Sequence, residues 1–450
     1  MKLVKSLLLG SAAGIAAVAG AQAADLPSRK AAPVEYVRVC SAYGAGFFYI
    51  PGTETCLRVS GRVRAEYLVG ERFGDNQDAY GTRARGRLNI DARTATAYGT
   101  LRTYIRYELT NNSGLYSTAG ISPFNAGASV PTAGFGRGVG TTGSLLDMAF
   151  VQFGPITAGR AQSFFDFYPN DFNFNSVRTA DSRLNLLAYT ATFGSGFSAT
   201  VSLEDRVSGT GGREVNFPGS TYQGQDFPDV VASLRVEQGW GAAQLSGALT
   251  QRKLTTGNIA GAVEGDEMGY AVQAGVKFNL PMIAAGDTFV LQAAYADGAI
   301  GYLGWNSGTF GLGRLGALAL ADAAFSGIGN NVKTTTGFSI VAALKHFWTP
   351  ELRTEISASY SELKLGYLNG GGVYFNPLDV RSLDPKEFII AGNLIWSPVS
   401  GLDIGVEVLY SHLDVRSPVT TVNNFGGRNA LLGIKSEDAI AGRLRIQRDF

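Results

Sequence analysis

The chain has 450 residues, of which 45% are hydrophobic and 17% charged. That apolar content excludes a disordered tail, and its dispersal excludes a helical membrane protein: past the first two dozen residues no apolar run reaches the roughly 18 residues a crossing helix needs. A net charge of +1 excludes the strongly basic surface of a nucleic-acid binder.

The chain opens on a targeting pattern. Lys2 and Lys5 precede an apolar core over Leu7–Ala19, and Ala21-Gln22-Ala23 supplies the small residues of a cleavage site. Residues 1–23 are expected to be a signal peptide, with the mature chain starting at Ala24. An uncleaved anchor is the alternative, disfavoured by the short core. Cys40 and Cys56, the two cysteines, then lie in an exported chain, in a periplasmic segment over 24–56, and a disulfide is expected. A metal pair is the alternative, but it has no neighbouring histidines.

From Leu57 the dominant signal is a period of two, the mark of strands with one apolar and one polar face. In the first strand Leu57, Val59, Val63, Ala65, Tyr67 and Val69 alternate with Arg58, Ser60, Arg62, Arg64 and Glu66. In the second Ala84, Gly86, Leu88, Ile90 and Ala92 alternate with Arg83, Arg85, Arg87, Asn89, Asp91 and Arg93. In the third Leu101, Thr103, Ile105, Tyr107 and Leu109 alternate with Arg102, Tyr104, Arg106 and Glu108. Further strands are expected near 145–154, 155–163, 184–194, 197–206, 229–238, 240–252, 267–280, 287–297, 333–347, 351–364, 387–397, 402–414 and 437–450. That makes sixteen, an even number, of a length that crosses a bilayer when tilted. The fold class expected is therefore all-β: a transmembrane sixteen-stranded antiparallel barrel over 57–450.

The connections alternate between short and long. Short ones fall at Tyr98-Gly99, Gly154-Pro155, Ser195-Gly196, Gly239-Trp240-Gly241, Pro281 to Gly286, Trp348-Thr349-Pro350 and Ser397 to Gly401. The other eight are long and rich in Gly, Ser, Thr and Asn. Short periplasmic turns and longer external loops are the barrel pattern. Tyr98, Phe153, Phe193, Phe197, Trp240, Phe278, Phe289, Trp348 and Trp396 flank the short turns, as a headgroup-level girdle would. The chain ends at Phe450 on an amphipathic strand, with Arg448 breaking its apolar parity.

Two charged groups stand out. Arg58, Arg62, Arg64, Arg83, Arg85, Arg87, Arg93, Arg102 and Arg106 fall on polar faces of three consecutive strands, and barrel closure would add Arg443 and Arg445. Guanidinium groups stay charged, so one lumen wall is expected to be basic, although Glu66, Asp91 and Glu108 must pair with some of them. Opposite it we expect the loop over about 160–184, which carries Asp166, Asp171 and Asp181 among six aromatics between Phe164 and Phe174. So aromatic a loop is expected to fold inward, setting acidic groups across a constriction from the arginines. The alternative is an external loop making subunit or lipopolysaccharide contacts.

Val39-Cys40, Gly44-Ala45-Gly46-Phe47-Phe48-Tyr49-Ile50-Pro51-Gly52, Thr55-Cys56-Leu57 and Gly61-Arg62-Val63-Arg64 closely resemble the alphaproteobacterial porins, as do Ala24-Asp25-Leu26-Pro27 and the ending Arg443-Leu444-Arg445-Ile446-Gln447-Arg448-Asp449-Phe450. The resemblance implies an outer-membrane homotrimer of diffusion pores, each narrowed by its third loop, here 160–184. It implies contact with outer-membrane lipid and lipopolysaccharide. It also implies that Phe450 is the signal read by the barrel-assembly machinery. The function expected is passive diffusion of ions and small hydrophilic solutes. A channel specific for sugars or anions is the alternative within the class, and a non-conducting adhesin or structural barrel the alternative outside it. His346 and His412 sit in no catalytic motif and no metal-ligand spacing occurs, so neither enzymatic activity nor a cofactor is expected.

Overall fold

The computed structural model describes residues 38–72, 78–116, 140–174, 177–207, 212–215, 221–222, 224–255, 264–305, 320–325, 332–366, 383–423 and 430–450. The expected signal peptide lies outside these residues. Sixteen long strands form the body: β1 Thr55–Gly70, β2 Tyr80–Thr96, β3 Gly99–Gly114, β4 Thr141–Phe153, β5 Ile156–Gln162, β6 Arg183–Gly194, β7 Phe197–Glu204 and β8 Asp229–Gln238, then β9 Gly241–Thr255, β10 Glu264–Asn279, β11 Thr288–Asp297, β12 Val332–Thr349, β13 Leu352–Leu365, β14 Lys386–Val399, β15 Leu402–Asn423 and β16 Ala430–Asp449. Each pairs antiparallel with the next, and β16 returns to β1 with Asp449 opposite Arg62 and Ala441 opposite Gly70, so the barrel closes. Two pieces, Phe48–Tyr49 and Ala323–Phe325, add short pairings to β1 and β12.

Alternation puts the apolar residues outside. On β1, Val59, Val63, Tyr67 and Val69 are between 48% and 59% exposed, while Glu66 and Leu68 between them are buried. Exposed valines beside a buried glutamate invert a soluble core and fit a sheet whose outer face meets hydrocarbon. Tyr98, Phe193, Trp240, Trp348 and Trp396 are exposed at the turn end. A second exposed ring at the loop end, including Tyr67, Tyr80, Tyr270, Tyr360 and Phe388, was not read from the sequence.

Two details differ from expectation. The last hairpin extends well past 414 and begins before 437: after a register shift between Asp414 and Val419 the backbone pairing resumes, from Val419 opposite Ile434 to Asn423 opposite Ala430. Nor do all inner faces line water. On β8–β15 the inward positions near the loop end include Val231, Ala248, Ala271, Ala294, Leu363 and Leu413, which pack against loop residues in a buried apolar cluster. Parts of the fourth and sixth long connections, expected outside, therefore lie within the barrel.

Cys40 and Cys56 form a disulfide. It ties a short segment to the turn end of β1, where Tyr43 and Phe47 lie under the Arg93 guanidinium at 5.6 and 5.0 Å. At the other terminus Phe450 exchanges backbone hydrogen bonds with Gly61, at 3.0 and 2.8 Å. Its ring covers Gly61, where a Cβ would stand 2.5 Å from Cζ. Only glycine fits there.

Candidate functional site

The described residues of the third long connection, 163–174 and 177–182, follow β5 and lie along the inside of the barrel. A row of inward polar side chains from successive strands carries it. Gln244 of β9 donates to the carbonyls of Phe164, Phe165 and Asp166 at 3.2–3.3 Å, and Gln273 of β10 donates to that of Phe165 at 2.8 Å. Gln292 of β11 accepts the N–H of Tyr168 at 3.1 Å, and Tyr168 shares a 3.0 Å hydrogen bond with Ser357 of β13. Asn393 of β14 donates to Phe172 at 3.0 Å, and Glu407 of β15 accepts from the N–H of Phe174 at 2.6 Å. Arg443 and Arg445 of β16 both donate to the Phe174 carbonyl, at 2.6 and 3.2 Å.

Glycines let the loop lie close. Phe167 seats over Gly275 and Phe174 over Gly405, where a Cβ would meet the rings. Buried backbone amides of an irregular loop need partners, and this row provides them without a helix or strand. The supporting amides escaped the sequence reading. Each sits alone on a different strand, and only the barrel register aligns them.

The arginines named from the sequence line the opposite arc, on β1–β3 and β16. Arg62 pairs with Asp449 at 2.5 Å, and Arg64 donates to Gln447 at 3.0 and 2.7 Å. Arg83 and Arg445 converge on Glu66 at 2.5 and 2.7 Å, with Arg443 at 3.5 Å. Arg85 and Arg87 share Glu108 at 3.2 and 2.5 Å. Arg93 and Arg102 bracket Asp91 at 2.8 and 2.9 Å, and Arg106 reaches Asp147 at 3.3 Å. In the ladder Arg62 stands directly opposite Arg87, and Arg64 opposite Arg85. Like charges placed so repel each other, and carboxylates are too few to neutralise them. Seven arginines (62, 64, 83, 85, 87, 443, 445) meet four carboxylates in this stretch: 66, 108 and 449 in ion pairs, and 407, which stands opposite 443 in the β15–β16 ladder. Asp147, missed in the sequence, occupies a register shift in β4 that breaks the alternation there.

The three loop aspartates separate. Asp166 does not face the arginine wall: it is buried against Arg213 and accepts the N–H of Ser182 at 2.8 Å. The sequence hid this because Arg213 lies in another long connection. Asp171 is exposed on the loop. Asp181 is half-buried, 3.6 Å from Arg183 and 3.2 Å from Gln162. Burial pushes the Asp181 carboxyl up to about 6. His346 binds Asp287 at 2.6 Å near a turn, and His412 sits between Asp438 and Asp414 at 2.7 and 3.1 Å. Both lie apart from the arginines.

This geometry, a closed barrel with a loop folded against its inner wall, agrees with the chain's relatives. Residues 25–439 match the family described as "Porin subfamily". The chain belongs to this family. Among curated proteins, Porin Omp2b of Brucella suis is 36% identical over 256 residues, covering 53% of this chain and 64% of that porin. Porin Omp2b of Brucella abortus (strain 2308) is 36% identical over 251 residues, with the same coverage. The match thus spans somewhat less than two thirds of these Brucella porins. Among solved structures, the outer-membrane channel DcaP of Acinetobacter baumannii superposes with a TM-score of 0.60 at 15% identity, over 89% of this chain and 99% of that one. At that identity the likeness concerns the fold alone. A porin-family barrel with an apolar outer face resides in the outer membrane.

Proposed function

We propose that this porin-family chain is a diffusion channel: a homotrimer whose protomers each hold a water-filled pore for ions and small hydrophilic solutes, with no enzymatic activity. One observation carries this. The third loop is seated within the barrel, and the arginines across from it keep partly exposed side chains, among them Arg62 at 28% and Arg85 at 25%. A barrel of this size that is not filled leaves an aqueous passage. Residues 1–23 would direct export, Phe450 would be read during assembly, and the apolar outer band would meet lipid and lipopolysaccharide.

The arginine excess favours anions over cations, modestly, since Asp171 and Asp181 offset part of it. Reversal potentials in a salt gradient test this, and they should depend on pH with a definite sign. A carboxyl at about 6 is ionised at pH 7.5 and largely protonated at pH 5, whereas an ordinary aspartate stays ionised at both. Its neighbours are Arg183 on β6, Asp147 on β4, and Asp166 and Asp171 on the loop. Acidification therefore removes a negative charge beside the pore. One charge about 6 Å from a passing ion, screened at 0.1 M salt, is worth roughly 0.4 kcal/mol. Anion and cation barriers move in opposite senses, so anion preference should rise roughly threefold from pH 7.5 to pH 5. Asp181→Asn should flatten that response. A strong cation preference at pH 7.5 would overturn the charge assignment.

A further inference from the structure

Between the third loop and the loop end of the barrel lies a second inward layer. Ile300–Leu303 form a 3-10 turn that is wholly buried, followed by Gly304 in left-handed conformation (φ +88) and a buried Trp305. One carboxylate ties this layer together. Asp322, fully buried, accepts the N–H of Ile300 through Oδ1 and of Val215 through Oδ2, both at 2.8 Å. It also pairs with Arg252 of β9 at 3.1 Å. Its own N–H donates to the Val215 carbonyl at 2.9 Å, and its carbonyl accepts from Thr335 of β12 at 2.8 Å. Pieces of the fourth and sixth connections and β9 thus meet at one side chain, and β12 at the same residue's main chain.

The layer bears directly on the third loop. Arg178 lies over the Trp305 ring at 3.9 Å, donates to the Gly304 carbonyl at 3.1 Å, and pairs with Glu387 of β14. Arg213 pairs with Asp166 and lies over Tyr302 at 4.3 Å. Gly304 leaves no space for a side chain, since a Cβ would stand 2.5 Å from the N of Thr179.

We propose that these inward parts of the fourth and sixth connections are a fixed second wall that sets how far the third loop projects into the lumen, with Asp322 as its positioning residue. The wall fixes the size limit for solutes, and the arginine arc fixes their charge. This rests on the reading of the lumen as an open pore.

Size and charge can be measured separately, by liposome swelling with arabinose and raffinose and by reversal potential. Asp322→Ala should free the wall: single-channel conductance and current noise rise, the raffinose-to-arabinose rate ratio at least doubles, and the reversal potential stays unchanged. Asp322→Asn, which keeps an acceptor, should fall between. Gly304→Ala tests the same contact in the opposite sense and protects against misfolding of the first variant. It forces the turn onto Thr179, so conductance and raffinose entry should fall at constant reversal potential. Heat-modifiable migration shows which variants hold a folded barrel. Unchanged size limits in folded variants overturn the proposal, as does a fall in conductance for Asp322→Ala or a shift in reversal potential alone. A wild type that never conducts overturns the pore reading instead.

Discussion

Replacing Glu66 with alanine should cost about 3–5 kcal/mol of stability, because it strands buried positive charge. Glu66 is fully buried on β1, and three guanidinium groups converge on it from both neighbouring strands: Arg83 of β2, and Arg443 and Arg445 of β16. The β16–β1 seam is where the two ends of the chain close the barrel, so repulsion there acts against closure itself. Arg443 and Arg445 also hold the Phe174 carbonyl, so that part of the third loop should loosen as well. The temperature at which the heat-modifiable form converts should fall sharply for Glu66→Ala. It should recover in part when Arg83→Ala is added, a coupling that identifies charge rather than packing as the cause. An unchanged transition temperature would show that water screens the cluster more fully than its burial indicates.

The second large effect concerns permeation. Arg83 and Arg87 stand 2.5 Å from Glu66 and Glu108, so neutralising them would remove the shortest ion pair each of those buried carboxylates makes. Arg64 and Arg85 are different. They oppose one another in the ladder, Arg64 is held by a neutral glutamine, and Arg87 stays on Glu108 when Arg85 is lost. Arg64→Gln with Arg85→Gln should therefore leave the fold intact and relieve a like-charge contact. At about 0.4 kcal/mol per screened charge, acting oppositely on anions and cations, the anion-to-cation permeability ratio should fall on the order of tenfold at 0.1 M salt. The shift should shrink at 1 M salt, where the Debye length is about 3 Å. If reversal potentials do not move, the permeating path does not pass these arginines.

The parts legible in the sequence are those that lipid dictates. Hydrocarbon outside the barrel demands an apolar residue at every second position, so β1, β2 and β3 announce themselves through Val59, Val63, Leu88, Ile90, Ile105 and Leu109. The complementary parity exposes Arg83, Arg85 and Arg87 as one face. The lumen side imposes no such rule. Ala248, Ala271 and Ala294 face inward, yet alanine in a strand belongs equally to either face, so nothing in the chain announced that loop residues pack on them. The row of Gln244, Gln273 and Gln292 exists only once the register places three strands side by side, and Asn393 joins it from three strands further round the barrel. Asp166 lies close in sequence to Asp171, but its environment is set by Arg213, far along the chain. Periodicity reports the face of a strand. It is silent about which loop comes to rest against that face.

The most direct test of the channel itself is planar-bilayer recording with the purified, heat-modifiable protein. A water-filled trimeric pore should give discrete, ohmic conductance steps, with closures in thirds at high voltage. Protein that inserts with its barrel folded but passes no current would contradict the open lumen between the third loop and the arginine arc.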